Sequence, residues 1–275
     1  MEQSFGSRLK HAWNVFRSRD PTAEFGDTGA SHYNRPDRPR FTRGNERSIT
    51  TSVLNRIALD ASAIDILHVP EEKISVIYHG VSISNSLQLK PVVDGDYFLF
   101  VGRRNGYKNF LPMVKAMAPY LKSHPSFKLV CTANDFNSSE MIVFRELGIS
   151  HQIRHVFASY VELLSLYKYA KAFIYPSLYE GFGIPILEAY AMKCPVLLSK
   201  ESCFPEIAGD AALYFKLTDQ ENTLSALLEQ FTNMSQIDHD SLIGKQNERL
   251  KRYSWEKSAL QLAEVYESVL NERKE

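Results

Sequence analysis

From residue 97 onward, short apolar runs alternate with stretches whose apolar positions recur every three to four residues. Tyr97–Val101, Lys128–Thr132, Arg154–Phe157, Ala172–Tyr175, Pro195–Ser199 and Leu213–Phe215 predict short strands. Between them, Phe110–Ser123, Ser138–Leu147, Leu163–Ala170, Pro185–Met192 and Glu221–Asn233 predict helices, and Lys245–Arg252 predicts the end of a further one. Strands alternating with helices build βαβ units and a parallel sheet covered on both faces. The expected fold class is α/β, a doubly wound parallel sheet. A last helix is expected from an N-cap at Ser254 to Leu270, with Trp255, Ala259, Leu262, Tyr266 and Val269 on one stripe.

The upstream part has another texture. Phe5, Leu9, Trp13 and Phe16 fall at helical spacing among Arg8, Lys10, Arg17 and Arg19. That pattern fits a short helix packed on its own protein, or a basic amphipathic helix on a membrane surface. Asp20 to Arg47 has no sustained period and reads as loop or disorder. Ile49, Val53, Ile57, Ala61 and Ile64 then suggest a helical region toward Leu67, stopped before Pro70. Ile74–Tyr78 predicts a strand, His79-Gly80 a turn, and residues 82 to 96 a linker. The expected organisation is an irregular segment at 1–47, a short segment at 48–74, the α/β unit at 75–252 and a closing helix at 253–275.

Composition narrows the function classes. The 275 residues are 44% hydrophobic and 23% charged, enough apolar content to fold and bury a core. Lys plus Arg and Asp plus Glu both total 32, so no net positive field favours nucleic acid. The three cysteines, Cys131, Cys194 and Cys203, are too few and too scattered for a disulfide scaffold, and they fit a reducing, cytoplasmic compartment. No apolar run reaches ~18 residues, and the first residues lack the apolar stretch of a signal peptide.

Two segments carry candidate chemistry. In Tyr179-Glu180-Gly181-Phe182-Gly183-Ile184-Pro185-Ile186-Leu187-Glu188, a strand end leads through a Gly-containing loop into a helix with Pro185 in its first turn. Free N–H groups and the helix dipole favour anions at such a place, outside the carboxyl ends of parallel strands. Glu180 and Glu188 are acceptors that would repel phosphate and suit the vicinal hydroxyls of sugars. The pair of properties suggests a ligand with both phosphates and sugars. Glu180 and Glu188 could equally be a solvated residue and a capping one, were the Gly-Phe-Gly-Ile-Pro context absent.

The second segment is Phe98-Leu99-Phe100-Val101-Gly102-Arg103-Arg104-Asn105-Gly106-Tyr107-Lys108-Asn109, again a strand, a Gly loop and a helix start, with Asn109 a candidate N-cap. Arg103 and Lys108 can converge on a diphosphate as a planar fork and a point charge, neutralising a leaving group without a metal. Basic loops after strands also occur with no ligand. Asp94-Gly95-Asp96 and Asp238-His239-Asp240 match a metal-binding D-x-D, but turn-forming and interhelical surroundings argue against that role. His79, His151 and His155 show no ligand spacing. Neither Gly-x-Gly-x-x-Gly nor a Walker A sequence occurs.

Taken together, Gly102-Arg103-x4-Lys108, Tyr175-Pro176-Ser177-x2-Glu180-Gly181-Phe182-Gly183-x4-Leu187-Glu188-Ala189 and Pro205-Glu206-x2-Gly209-Asp210-Ala211-Ala212 resemble the GT-B glycosyltransferases of family 4. Ile74-Ser75-Val76-Ile77-Tyr78-His79-Gly80-Val81 and Tyr253-Ser254-Trp255-Glu256 extend the resemblance over about residues 63 to 270. It implies a Rossmann-like C-terminal domain and a retaining, metal-independent transfer from a nucleotide-sugar to a saccharide or lipid-linked acceptor, with no cofactor. By the same resemblance Gly102, Arg103 and Lys108 hold the diphosphate, Glu180 hydrogen-bonds the donor sugar beside the Gly181, Phe182, Gly183 and Ile184 backbone, and Glu188 binds the ribose.

The resemblance also exposes departures. Most of the family's acceptor-side domain is missing from this sequence, residues 48 to 73 resembling only its last segment. Asp60-Ala61-Ser62 stands where a Ser-Glu segment is usual, and Phe157-Ala158-Ser159-Tyr160-Val161-Glu162-Leu163 is short against the family's loop near the base. The closing helix, which in the family crosses to the other domain, needs cover from residues 48 to 73, a partner chain or a second copy. Two functions stay open: a glycosyltransferase of polysaccharide or glycolipid synthesis, in the cytoplasm or at the inner face of its membrane, and a nucleotide-sugar-binding protein without turnover of its own. No nucleic-acid partner is expected.

Overall fold

In the computed structural model, residues 74–83, 87–104, 106–217 and 223–272 are described; all belong to the unit Thr50–Glu275. The expectations for residues 1–73 lie outside them. Six strands form one parallel sheet: β1 (Tyr97–Phe100), β2 (Lys128–Cys131), β3 (Ile153–His155), β4 (Ala172–Tyr175), β5 (Val196–Ser199) and β6 (Leu213–Phe215). Their order is β3-β2-β1-β4-β5-β6. The chain starts in the middle, winds outward one way, then crosses back beside β1 and winds the other way. The reversal lies between β1 and β4, where Phe98 faces Ala172 and Leu99 faces Phe173. At such a reversal the two outgoing loops diverge and leave a crevice.

The helices are α1 (Phe110–Ser123), α2 (Ser138–Glu146), α3 (Tyr160–Tyr169), α4 (Ile184–Ala191), α5 (Phe204–Ala208), α6 (Leu224–Thr232), α7 (Gln236–Leu250) and α8 (Trp255–Glu272). Alternate strand residues feed two cores, because side chains along a strand point to opposite faces. Tyr97, Leu99, Phe173, Tyr175, Val196 and Leu198 pack against α3, α4 and α5. Phe98, Phe100, Leu129, Cys131, Ile174 and Leu197 pack against α1, α2 and α6. Every residue of β1, β4 and β5 is buried, as double-sided cover requires.

Several expectations are corrected. Ile74–Tyr78 pairs with no strand. Its apolar residues are used differently: Ile77 is buried, and the Tyr78 ring packs on Phe182 and Tyr253. Asn109 is no N-cap, since its φ of 54° is left-handed and its side chain makes no cap bond. Helix α3 begins three residues before Leu163, because Ser159 and Glu162 form a reciprocal capping box. Helix α5, with a Pro in its first turn, was not expected. Residues 245–250 do form the end of a helix, α7, which Ser235 caps at its start. Ser254 does cap α8, accepting from Lys257 N at 3.2 Å. No described helix is long and apolar enough to cross a membrane.

Candidate functional site

The loops leaving β1 and β4 meet. Gly102, at φ 114°, turns the chain off β1, a conformation open to glycine and strained for other residues. A single 3₁₀ turn at Gly106–Lys108 follows. Leu178 N donates to Tyr107 O at 2.8 Å and ties the β4 loop to this turn. Beside that tie, Lys108 Nζ donates to Glu180 Oε1 at 2.6 Å and to the Tyr175 hydroxyl at 3.4 Å. The two charged side chains are only 15% and 13% exposed. The ammonium also lies 5.3 Å from the centroids of the Tyr107 and Tyr175 rings. Burial, reinforced by the Glu180 charge, pushes the Tyr175 phenol far up, so it stays a neutral hydroxyl.

Glu180 is held through its backbone as well. Its N–H donates to Ser202 Oγ at 3.1 Å, and its carbonyl accepts from Ser202 Oγ at 3.0 Å and from Cys203 Sγ at 3.3 Å. The Phe182 carbonyl accepts from Cys203 Sγ at 3.4 Å. The Phe182 ring is buried: it sits 5.1 Å from His79, 5.7 Å from Tyr253 and 6.1 Å from Tyr78. Burial lowers the His79 pKa. Gly183, at φ 91°, starts α4; a Cβ there would stand 3.0 Å from Ile186 Cδ1 and 3.4 Å from Phe204. Gly181 and Ile184 flank this turn, Ile184 being exposed. Glu188, on the second turn of α4, accepts from the Tyr167 hydroxyl at 3.2 Å. Burial raises its pKa, and the tyrosine bond partly offsets that.

The adjacent arginines divide two tasks. Arg104 is a structural tie: its guanidinium donates to Glu140 Oε1 at 2.8 Å, Thr132 O at 3.1 Å, Asn134 O at 2.6 Å and Asp135 O at 2.7 Å. Glu140 also closes the Asn137 capping box of α2, so one ion pair fixes the β1 and β2 loops together. Arg103 is exposed and makes no hydrogen bond among the described residues. It lines a cavity of about 830 Å³ with Gly106, Asn134, Asn137 and Ser138. Lys108 and Glu180 are not part of that cavity's lining.

The geometry thus brings Lys108 to Glu180, follows Glu180 with the Gly181-Phe182-Gly183 turn, and sets Glu188 on the second turn of α4; Gly102 turns the chain off β1 and its N–H donates to the Thr132 hydroxyl. Tyr175, Arg104, Ser202 and Cys203 were not anticipated as site residues. Tyr175 stood in the Tyr-Pro-Ser motif as its available signal, whereas Ser202 and Cys203 carried none. The D-x-D pairs are used elsewhere. Asp96 pairs with Lys171 at 3.2 Å, the Asp94 carbonyl accepts from Lys128, Asp238 accepts from Ser235, and Asp240 from Gln236. Among the described residues no group of three His, Cys, Asp or Glu could hold a metal.

Comparison with known proteins gives the family of the chain. Residues 85–257 match the family described as Glycosyl transferases group 1. The O-antigen chain mannosyltransferase RfbU of Salmonella typhimurium is 35% identical over 191 residues, 69% of this chain and 51% of that protein. The O-antigen chain mannosyltransferase B of Escherichia coli is 35% identical over 105 residues, 38% of this chain and 27% of that protein. A glycosyltransferase crystal structure from Rickettsia africae superposes with a TM-score of 0.64 at 17% identity, covering 76% of this chain and 61% of that one. The chain spans about half the length of the first of these curated relatives and less of the second. With a doubly wound sheet of the GT-B type and a family match across most of the described residues, the chain belongs to the group 1 glycosyl transferases.

Proposed function

We propose that this chain binds a nucleotide-sugar at the carboxyl ends of β1 and β4 and serves retaining transfer of the sugar to a saccharide or lipid-linked acceptor, as in family 4. The observation that carries the reading is the Lys108–Glu180 pair at the crossover point. A shielded cation beside a shielded carboxylate suits a ligand whose diphosphate and sugar hydroxyls are adjacent. Lys108 and the unpaired Arg103 neutralise the diphosphate, Glu180 accepts from a donor-sugar hydroxyl, and Glu188 accepts from the ribose.

In the proposed step the bond from the anomeric carbon to the diphosphate oxygen breaks. The nucleoside diphosphate leaves with the bonding pair, the acceptor hydroxyl oxygen bonds to the same face of the carbon, and its proton passes to the departing phosphate. Charge growing on the leaving group is what the cations stabilise. Two relatives carry mannosyltransferase names, so mannose is the first sugar to test, in polysaccharide or glycolipid synthesis at the cytoplasmic side of a membrane. A second reading, donor binding without turnover by this chain alone, is favoured by one observation: the described residues form a single parallel sheet, and an acceptor hydroxyl must be positioned from the facing side.

A thermal-shift screen of nucleotide-sugars tests both readings. At a hundred times Kd a ligand adds about 2.7 kcal/mol, roughly 5–10 °C for a unit of this size. A midpoint unmoved by every nucleotide-sugar and nucleoside diphosphate would refute both. Glu180→Ala should erase discrimination between donor sugars and leave the nucleoside diphosphate bound.

A further inference from the structure

Ser202 lies between β5 and α5 with φ at 55°. The left-handed region crowds the Cβ of any residue but glycine, and a strained non-glycine residue beside a candidate site invites a functional reading. Its hydroxyl both accepts and donates. It accepts from Glu180 N at 3.1 Å and donates to Glu180 O at 3.0 Å, so one side chain takes both polar backbone groups of one residue. Neighbouring Cys203 shares its one S–H between the Glu180 and Phe182 carbonyls. Among the described residues the Glu180 backbone makes no bond to other backbone groups. Among the described residues, the Ser202–Cys203 turn alone hydrogen-bonds the peptide that carries the carboxylate facing Lys108.

We propose that Ser202 is the positioning residue for Glu180: its hydroxyl holds the Glu180 peptide so that the carboxylate meets the donor sugar next to the Lys108 ammonium. This rests on the reading of Glu180 as the sugar-contacting group. A turn-forming role alone would be met as well or better by glycine, which adopts positive φ without crowding. The hydroxyl is what glycine lacks, so stability and positioning must separate on substitution.

The test uses Ser202→Gly and Ser202→Ala in the full chain. Both lose the hydroxyl, while only glycine relieves the backbone. Ser202→Gly is expected to melt at or above Ser202→Ala. In both, hydrogen exchange at the Glu180 amide should rise about tenfold, and affinity for GDP-mannose should fall about five- to tenfold relative to GDP, the loss of one or two hydrogen bonds. UDP-glucose and UDP serve as the second probe pair. A Ser202→Gly protein that keeps the wild-type affinity ratio, or equal weakening of sugar-nucleotide and nucleoside diphosphate, would overturn the proposal. So would unchanged Glu180 exchange. A wild-type chain that binds neither these four probes nor any other nucleotide-sugar or nucleoside diphosphate of the screen removes the donor reading and this proposal with it; one that binds donors with a ratio indifferent to Ser202 removes this proposal alone.

Discussion

Replacing Lys108 by Met removes the ammonium and keeps most of the side-chain length. At 2.6 Å and an effective dielectric of about 20, the gross attraction to Glu180 is about 6 kcal/mol. Desolvation of two side chains that are each roughly one-seventh exposed offsets much of that. Lys108→Met also leaves the Glu180 carboxylate shielded without its cation, and Glu180→Gln leaves the ammonium without its anion. Each single variant should therefore cost about 2–3 kcal/mol, between the values for exposed and for buried pairs. The double variant should cost about 1–2 kcal/mol less than the two singles combined. Urea unfolding at pH 7 measures all four corners of the cycle, provided the slope with denaturant stays constant. Additivity within about 0.5 kcal/mol would show that the pair does not form in solution and would remove the basis for placing a donor there.

Other consequences are independent of that cycle. Arg104→Ala strands the buried Glu140 carboxylate and the Thr132 carbonyl and should destabilise by about 3–5 kcal/mol; Arg104→Lys should recover little, because one ammonium cannot reproduce the fork. A melting curve for Arg104→Lys equal to wild type would refute the network. Gly80→Ala puts a Cβ 2.1 Å from Trp255 N and 2.5 Å from Ser254 C, backbone that must move, so about 1–3 kcal/mol should be lost with a change in Trp255 fluorescence. Unaltered stability and emission would contradict that packing. Glu188 has a folded pKa above its ordinary 4.5, so the folded state binds more protons than the unfolded one. Stability is present below pH 4.5 and is lost as pH rises through the folded value. Glu188→Gln should gain on wild type over that rise in a pH series of urea melts, and a constant difference would refute it.

The strands were legible because a two-sided parallel sheet demands short, wholly apolar runs, and Tyr97–Phe100, Ala172–Tyr175 and Val196–Ser199 are such runs. Ile74–Tyr78 has the same local pattern and forms no strand. Its Tyr78 ring packs on Phe182 and Tyr253, far away in sequence and invisible to periodicity. Asn109 shows the limit of cap preferences: asparagine also tolerates positive φ, and the turn at Gly106–Lys108 takes that option. The capping box at Ser159 and Glu162 was written in the sequence and outweighs the apolar stripe that suggested a later start. Within the site, the Gly turns and the Lys108–Glu180 juxtaposition follow from two loops leaving the carboxyl ends of the two central strands. The division of labour between Arg103 and Arg104 does not. Adjacent identical side chains differ only by which one finds Glu140 and the carbonyls of the β2 loop.

Calorimetric titration of GDP and UDP into the wild-type chain and into Lys108→Met tests the donor site most directly. Wild type should bind at least one of them, and the variant should bind it at least about tenfold more weakly, since a charge-assisted contact to phosphate contributes about 1.5–3 kcal/mol. Equal affinity in the two proteins would mean that the diphosphate does not sit beside Lys108 at the β1–β4 crossover.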